Sequence, residues 1–187
     1  IWLVLRRLTD DLRAMAARDP LTQLLNRRGL SEGLEAHFRS RNAGPAHLFV
    51  VDIDHFKRIN DAWGHEVGDT VLRHVADVLR ETARKGDLAC RVGGEEFVIV
   101  CRDTDGQGAM RLAERVRATI EHHAAPIGGG RDPIQCTATI GVSHGFASAH
   151  GFDHAMQQAD AALYLGKAAG RNRVVQSGDT DSTTAAT

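Results

Sequence analysis

A pair of glycines lies between two β-forming runs and strongly constrains the local structure of the chain. The runs are Leu88–Val92 and Phe97–Cys101, and Gly93-Gly94 lies between them. Only glycine adopts a positive φ without a steric penalty, so this pattern predicts a tight β-hairpin. Glu95 and Glu96 follow at the start of the second strand, where neighbouring side chains point to opposite faces. The hairpin therefore carries ordinary solvated acids or presents a carboxylate to a site beside the turn, which the side-chain-free glycines would let a bulky ligand approach.

A second β-forming run ends in carboxylates. The segment His47–Asp54 is almost continuously apolar until Asp52 and Asp54, a pattern typical of a central strand that is buried on both faces. Side chains two residues apart share one face of a strand. Carboxylates gathered at a strand end suit Mg²⁺, which prefers oxygen ligands and completes its shell with water and substrate phosphates. We expect Asp52 and Glu95 to form this cation site.

Basic and polar residues follow that strand. Lys57 and Arg58 lie close behind the acids, where they would suit phosphate oxygens. Asn60 and Asp69 offer an amide and a carboxylate, the groups needed to recognise the edge of a guanine base. The spacing alone leaves a second interpretation open, in which Asn60, Asp61 and Asp69 are helix caps and turn residues.

The first 18 residues predict an amphipathic helix. Its apolar residues recur at spacings of four and three, over about two heptads, and they are Ile1, Leu5, Leu8, Leu12 and Met15. Such a helix could pair with a second copy of itself or pack on its own domain. Asp19-Pro20 ends or kinks the helix, because proline cannot continue the hydrogen-bond ladder. The chain begins without methionine, and we expect an upstream sensor domain, with a membrane anchor there left open.

The composition argues against several classes of protein. The net charge is −1, so no field of one sign favours nucleic acid or an anionic membrane as a partner. The 3 cysteines lie in apolar runs and lack metal-ligand spacing. They predict buried, reduced thiols in a cytoplasmic domain. No apolar run is long enough to span a bilayer.

The remaining patterns predict a scaffold. Helices are predicted over about 27–42, 69–82, 105–122 and 152–169, and further strands over 134–142 and 173–175. The polar residues 177–187 predict a disordered tail. The order of these elements predicts an α/β domain over residues 19–176, in which helices surround a mostly antiparallel central sheet.

Taken together, the motifs resemble the GGDEF family of diguanylate cyclases. Gly93-Gly94-Glu95-Glu96-Phe97 is the Glu variant of the motif that names the family. The other matching blocks are Asp19-Pro20-Leu21-Thr22 with Asn26-Arg27-Arg28, Asp52-Ile53-Asp54-His55-Phe56-Lys57 with Asn60-Asp61, Gly64-His65 with Gly68-Asp69, and Ala159-Asp160-Ala161-Ala162-Leu163-Tyr164 with Lys167 and Gly170-Arg171-Asn172-Arg173. They follow the family's order and spacing from about residue 19 to residue 175. The resemblance implies a ferredoxin-like fold, similar to the palm of nucleotide polymerases and cyclases.

The resemblance also implies a reaction and the residues that perform it. Two GTP molecules would condense into cyclic di-GMP and release two pyrophosphates, with Mg²⁺, or Mn²⁺, as the cofactor. Each domain would hold one GTP, so the active species would be a homodimer. The implied metal ligands are Asp52, the backbone carbonyl of Ile53, Glu95 and Glu96, and the implied catalytic residues are Glu95, Asp52 and Lys57. The implied GTP-binding residues are Asn60, Asp69, Phe56, Lys57, Leu72, Gly93, Gly94, Lys167 and Arg171.

Arg84-Lys85-Gly86-Asp87 has two interpretations. By itself an Arg-x-x-Asp string would be a solvated turn. Its position before the hairpin matches the family's inhibitory site, which implies that Arg84, Asp87 and Arg115 bind the product cyclic di-GMP. A guanidinium group suits this task, because it pairs bidentately with phosphate or the Hoogsteen edge of guanine.

Two other functions remain beside the cyclase. One is a catalytically silent receptor that binds cyclic di-GMP at Arg84 and Asp87. The other is a relative that joins GTP to ATP or merely hydrolyses GTP. The complete set of acids, glycines and distal basic residues favours the cyclase, and Asn60 and Asp69 favour GTP. Gly166 replaces the family's commoner alanine, and we expect little effect from it.

Overall fold

The centre of the molecule is one sheet. The structure is a computed structural model that describes residues 2–178. Its strands are β1 (Ala46–Ile53), β2 (Leu88–Gly93), β3 (Glu96–Arg102), β4 (Ala138–Val142) and β5 (Val174–Gln176). In the described part of the chain the strand order is β2-β3-β1-β4-β5, with the β4–β5 pair parallel and the other three pairs antiparallel. The prediction of a mostly antiparallel central sheet is confirmed.

Helices cover both faces of this sheet. They are α1 (Trp2–Ala16), α2 (Arg27–Arg39), α3 (Phe56–Trp63), α4 (His65–Thr82), α5 (Gly106–His122) and α6 (Phe152–Ala168). Side chains of β1 alternate between two apolar clusters. Phe49 and Val51 pack with residues of α4 and α5 on one face, while Leu48 and Val50 pack with residues of α2 and α6 on the other. The central strand is therefore buried on both faces, as its continuous apolar run predicts.

Two predicted boundaries are wrong, and each has a local cause. The segment after β1 contains the helix α3, which we did not predict, and α4 begins at His65 rather than at residue 69. Gly64, with a φ of 85°, separates the two helices. The strand predicted over 134–142 begins only at Ala138, because Ile134 instead exchanges backbone hydrogen bonds with Ala125 in an isolated bridge outside the sheet.

The tip of the hairpin also differs from the prediction. Gly93 is the last residue of β2 and Glu96 the first of β3, so the turn consists of Gly94 and Glu95. Gly94 has a φ of 49°, the left-handed conformation for which glycine was expected here. Glu95 therefore lies on the turn and not on the strand, and only Glu96 belongs to a strand face.

The helix α1 presents its apolar residues to solvent. Leu5, Leu8 and Leu12 of the predicted seam are 56–59% exposed. Every α1 side chain that the structure describes is exposed, so the interpretation in which the seam packs on its own domain is wrong for those residues. Asn26 ties the end of α1 to the next helix, since its side chain donates to the carbonyl of Ala16 and accepts from the N–H of Gly29. Ile1, the side chain of Met15 and residues 179–187 of the predicted tail lie outside what the structure describes.

Two smaller expectations can be compared with the fold. The cysteines Cys90, Cys101 and Cys136 are free thiols and are buried, as predicted. Burial raises the pKa of the Cys90 thiol to about 12 and that of Cys136 to about 11. Within residues 2–178, no helix has the length and apolar character to cross a membrane.

Candidate active site

The acids of the two β-motifs meet at one end of the sheet. Asp52 lies on β1, directly opposite Glu96 on β3 and Thr139 on β4. Cross-strand partners on one face have neighbouring side chains, so Asp52 and Glu96 form a carboxylate pair. Glu95 lies on the adjoining turn, and its backbone carbonyl accepts a hydrogen bond from the N–H of Ile53 at 3.4 Å. In this register Glu96, and not Glu95, is the direct cross-strand neighbour of Asp52.

This end of the sheet concentrates negative charge. Burial raises the pKa of the Asp52 carboxyl, and the charges of Glu95 and Asp54 add to the rise. Burial likewise raises the pKa of Glu96, and Asp160 and Asp52 raise it further. The Lys167 ammonium opposes both effects and lies 3.1 Å from the Asp52 carboxylate. A positive charge placed here is therefore electrostatically favoured.

The donors at this position fit a Mg²⁺ ion that shares its shell with a substrate. Among the side chains that the structure describes, there is no group of three or more His, Cys, Asp or Glu that could hold a metal by itself. Mg²⁺ does not require one, because it commonly binds through one or two carboxylates, water and substrate phosphates. Asp52 and Glu96 supply such a pair, and Glu95 is adjacent.

Asn60 and Asp69 lie on neighbouring helices that approach each other closely at Gly68. Asn60 lies on α3, and Gly68 immediately precedes Asp69 on α4. A β-carbon at Gly68 would overlap the Oδ1 atom of Asn60, so the amide packs against the bare backbone there. Neither residue caps a helix: Gly64 ends α3 and starts α4, and His55 precedes α3. The interpretation of Asn60 and Asp69 as helix caps is wrong.

Apolar residues lie beneath this polar pair. Phe56 and Leu72 are buried in the cluster between the sheet and the helices α4 and α5. The Phe56 ring comes within 3.3 Å of the position that a Gly68 β-carbon would take. Lys57 follows Phe56 in the first turn of α3 and is exposed. The N-cap residue, His55, does not cap α3 through its side chain, which suits an external acceptor at this helix start.

The second basic group comes from the end of α6. Lys167 is in the last turn of this helix and contacts Asp52 across the sheet end. Arg171 lies three residues beyond the helix with a φ of 62°, and its N–H donates to the carbonyl of Gly166 at 3.0 Å. The structure therefore brings Lys167 to the carboxylates and folds the backbone of Arg171 against the same helix end.

The Arg-x-x-Asp segment forms a closed turn at the other end of β2. The Asp87 carboxylate accepts hydrogen bonds from the backbone N–H of Arg84 at 2.9 Å and of Arg102 at 3.3 Å. Arg115 on α5 donates to the carbonyl of Thr82 at 2.9 Å, close to the start of this turn. The side chains of Arg84 and Arg115 are exposed. The structure thus brings together the three residues of the inhibitory site that the resemblance implies.

Sequence reasoning missed the residue that holds the hairpin tip. The Arg91 guanidinium donates twice to the carbonyl of Gly94 and forms an ion pair with Asp19 at 3.3 Å. Asp19 and Arg91 lie in or beside motifs that the sequence shows. Their pairing was not predictable, however, because they lie 72 positions apart in the chain.

Comparisons with known proteins point to one family. A family model described as "Diguanylate cyclase, GGDEF domain" matches residues 16–173. The chain is 39% identical to response regulator PleD of Caulobacter vibrioides, over 91% of this chain and 39% of that protein. It is 42% identical to diguanylate cyclase DgcP of Pseudomonas aeruginosa, over 88% of this chain and 24% of that protein. It therefore spans well under half the length of these curated relatives.

A solved structure extends the comparison to the fold. The coiled coil and GGDEF domain of DgcB from Caulobacter crescentus, solved in complex with c-di-GMP, matches with a TM-score of 0.82 at 31% identity. The match covers 92% of this chain and 91% of that one. The predicted palm-type α/β fold is confirmed by this likeness.

Proposed function

The chain belongs to the GGDEF-domain family of diguanylate cyclases, and we propose that it condenses two GTP molecules into cyclic di-GMP. The observation that carries the proposal is the meeting of Asp52, Glu95 and Glu96 with Lys167 at one end of the sheet. In each half of the reaction a 3′-oxygen bonds to the α-phosphorus of the other nucleotide. The bond from that phosphorus to pyrophosphate breaks, and the hydroxyl loses its proton.

The guanine base is assigned to the pair on α3 and α4. The Asp69 carboxylate can accept from the N1–H and N2–H groups of guanine, and the Asn60 amide can donate to N3 or O6. Adenine offers no N1–H donor, so this pair favours GTP over ATP. Phe56 and Leu72 support the pair from the core below. Their packing fixes the helices that hold the two polar groups in place.

The triphosphate is assigned to the basic groups around the hairpin. Lys57 at the start of α3, Lys167 on α6 and Arg171 beyond it supply the positive charge. Space beside the turn is open, since a β-carbon at Gly93 or Gly94 would meet no atom within 4 Å. Phosphate oxygens could therefore approach the backbone of the hairpin closely.

The acids hold the cation and the reacting proton. Mg²⁺, or Mn²⁺ in its place, would be held by Asp52, Glu96, Glu95 and the backbone carbonyl of Ile53. When bound, the ion neutralises phosphate charge that develops in the transition state. Glu95, on the hairpin turn, is the group that we assign to accept the proton of the 3′-hydroxyl. General-base assistance of this kind contributes about 100-fold or more to a rate.

Each domain supplies one half of the reaction, so we propose that two copies act face to face.

Product inhibition is assigned to the closed turn of Arg84 and Asp87 with the nearby Arg115. The exposed guanidinium groups of Arg84 and Arg115 can contact the phosphates and guanine edges of cyclic di-GMP. The turn lies at the far end of β2 from the hairpin, so product can bind there without filling the GTP site.

The test is product formation by matched variants. The protein is incubated with GTP and Mg²⁺, and nucleotides are separated by chromatography for the parent, Glu95→Gln and Glu32→Gln. Glu32 is an exposed acid on α2 and serves as the control. We expect cyclic di-GMP from the parent and the control, and at least ~100-fold less from Glu95→Gln. No product from the parent, even at high concentration or when fused to a dimeric helix, would overturn the proposal.

Binding of cyclic di-GMP separates the cyclase from a silent receptor. The same preparations are titrated with cyclic di-GMP, together with Arg84→Ala. Loss of binding in Arg84→Ala, with synthesis retained, supports an enzyme with product control. Binding without any synthesis by the parent would make the receptor the correct function.

A further inference from the structure

Asp54 is a buried carboxylate for which the proposed chemistry has no direct task. It is 6% exposed and lies two residues beyond Asp52. Its Oδ1 atom accepts a hydrogen bond from the hydroxyl of Thr139 at 2.6 Å. Its Oδ2 atom accepts from the hydroxyl of Thr137 at 2.7 Å and from the backbone N–H of Asn172 at 3.0 Å. A buried carboxylate is costly unless it is hydrogen-bonded, so this arrangement defines the positions of all three donors.

The third donor belongs to the loop that carries Arg171. Arg171 and Asn172 have φ values of 62° and 46°. Two consecutive residues other than glycine in the left-handed region are strained, and such strain persists only where surrounding contacts enforce it. Asp54 holds the N–H of Asn172, and the carbonyl of Gly166 holds the N–H of Arg171.

The Asn172 side chain fixes the same loop from the opposite layer of helices. Its Oδ1 atom accepts from Arg117 at 2.7 Å, and its Nδ2 atom donates to Glu121 at 2.8 Å. Arg117, 14% exposed, also pairs with Glu121 at 2.6 Å. These residues lie on α5, whereas Arg171 follows α6 on the other face of the sheet. The loop is thus held by contacts to Asp54, which directly follows β1, and to the helices α5 and α6.

The end of α6 is connected to Asp54 through Thr139. The methyl group of Thr139 would lie 2.7 Å from a β-carbon at Gly166, so the helix approaches β4 closely at this point. The hydroxyl of the same threonine binds Asp54. Lys167 is the next residue of the helix and contacts Asp52. Asp54 therefore contacts the loop of Arg171 directly and, through Thr139, the part of β4 against which the end of α6 packs.

We propose that Asp54 is a positioning residue for the triphosphate, which acts by holding the loop of Arg171 and the adjoining end of α6. The inference rests on the proposed function, in which Lys167 and Arg171 bind phosphates. Asparagine cannot replace this carboxylate fully. One of its two terminal atoms is an NH₂ group, which cannot accept from the Asn172 N–H if it takes the Oδ2 position and cannot accept from Thr139 if it takes the other.

A double-mutant cycle tests the proposal through affinity. Binding of a non-hydrolysable GTP analogue is measured by calorimetry for the parent, Asp54→Asn, Arg171→Ala and the double variant. We expect each single change to weaken binding about tenfold, and the double variant to lose clearly less than the product of the two single losses, because the two residues act on the same phosphates. Guanosine, which lacks phosphates, should bind the parent and Asp54→Asn equally. Asp132→Asn, at an exposed acid in the loop before β4, is the control.

Additive losses in the cycle, or an equal loss of guanosine binding, would overturn the positioning role and leave Asp54 as a structural residue. If Asp54→Asn does not fold, Thr137→Val removes one donor of the same carboxylate and takes its place in the cycle. A parent protein that does not bind the GTP analogue would instead contradict the proposed function. Amide hydrogen exchange at Arg171 and Asn172 tests the link between Asp54 and the loop independently of GTP binding. Unchanged exchange rates in Asp54→Asn would refute this link.

Discussion

Asn60 owes its position to an atom that is missing from Gly68. The helices α3 and α4 approach so closely that a β-carbon on Gly68 would overlap the amide oxygen of Asn60. Gly68 does not need glycine for its backbone, because it lies within a regular helix where alanine is normally the better residue. The glycine therefore stabilises the arrangement of the site at some cost to the helix.

Gly68→Ala is expected to impair guanine recognition without unfolding the protein. The new methyl group must displace the Asn60 amide, and loss of a hydrogen bond to the base should weaken GTP binding by about tenfold. The measurement is the dissociation constant for a GTP analogue. Gly106→Ala is the control, since a β-carbon there meets nothing closer than 3.4 Å at the start of α5. Unchanged GTP affinity in Gly68→Ala would contradict the role of Asn60.

The sequence indicated candidate site residues but not the contacts that these residues make. Asn60 and Asp69 were visible as candidates, but their spacing fitted helix caps equally well. The choice depended on Gly64, which supplies the cap position between the two helices and leaves both side chains free for other partners. Asp54 was visible only as a neighbour of Asp52. Its donors come from residues 137, 139 and 172, and no local pattern predicts contacts across that distance.

At the scale of elements, one ion pair joins the start of the domain to the hairpin. Asp19 and Arg91 are 17% and 15% exposed, and Arg91 also holds the hairpin turn through Gly94. Burial by itself would raise the pKa of the Asp19 carboxyl. The hydroxyl and backbone N–H of Thr22, together with Arg91, outweigh burial, so that the pKa is lowered. The pair therefore stabilises the fold while Asp19 is ionised.

Asp19→Asn should lower the free energy of unfolding by ~2 kcal/mol at neutral pH, because Arg91 loses its partly buried partner. A carboxyl whose pKa is lower in the folded state stabilises at pH values above its unfolded pKa, about 3.9. That contribution is lost as the pH falls through the folded pKa. Urea unfolding at several pH values should thus show the parent and the variant converging below about pH 4.

Glu32→Gln on α2 provides the comparison for this pair. It removes an ion pair with Arg28 in which both side chains are more than half exposed. Exposed pairs of this kind contribute at most about 1 kcal/mol. A loss for Asp19→Asn no larger than that for Glu32→Gln would show that the link between the two motifs does not stabilise the fold.

Helices and strands were predicted well from the sequence where their apolar pattern is long. The strand β1 and the helices α5 and α6 were predicted within one or two residues. The strand is a nearly continuous apolar run, and each of the two helices repeats apolar residues over four or more turns. The helix α3 was missed although Phe56, Ile59 and Trp63 recur at helical spacing. It is only 8 residues long, and a glycine follows directly, so the pattern is too short to stand out.

At the scale of the whole molecule, the proposed reaction requires a second copy, and α1 offers a surface for it. The seam residues Leu5, Leu8 and Leu12 are exposed along one side of this helix. Burial of such a stripe against another copy would bring two GTP-loaded domains together at a high effective concentration. Activity per molecule should therefore rise with protein concentration until pairing is complete.

Leu8→Ser is expected to shift this dependence. Removal of one buried leucine from each helix of a pair weakens association, so half-maximal specific activity should require at least tenfold more protein. Leu3→Ser is the matched control, because Leu3 is 76% exposed and lies off the seam. Affinity for a GTP analogue should be equal in both variants, since α1 contributes no residue to the proposed GTP site. Equal shifts from the two substitutions would mean that the seam does not pair, and the second half-site would then have to be recruited through the sheet domain itself.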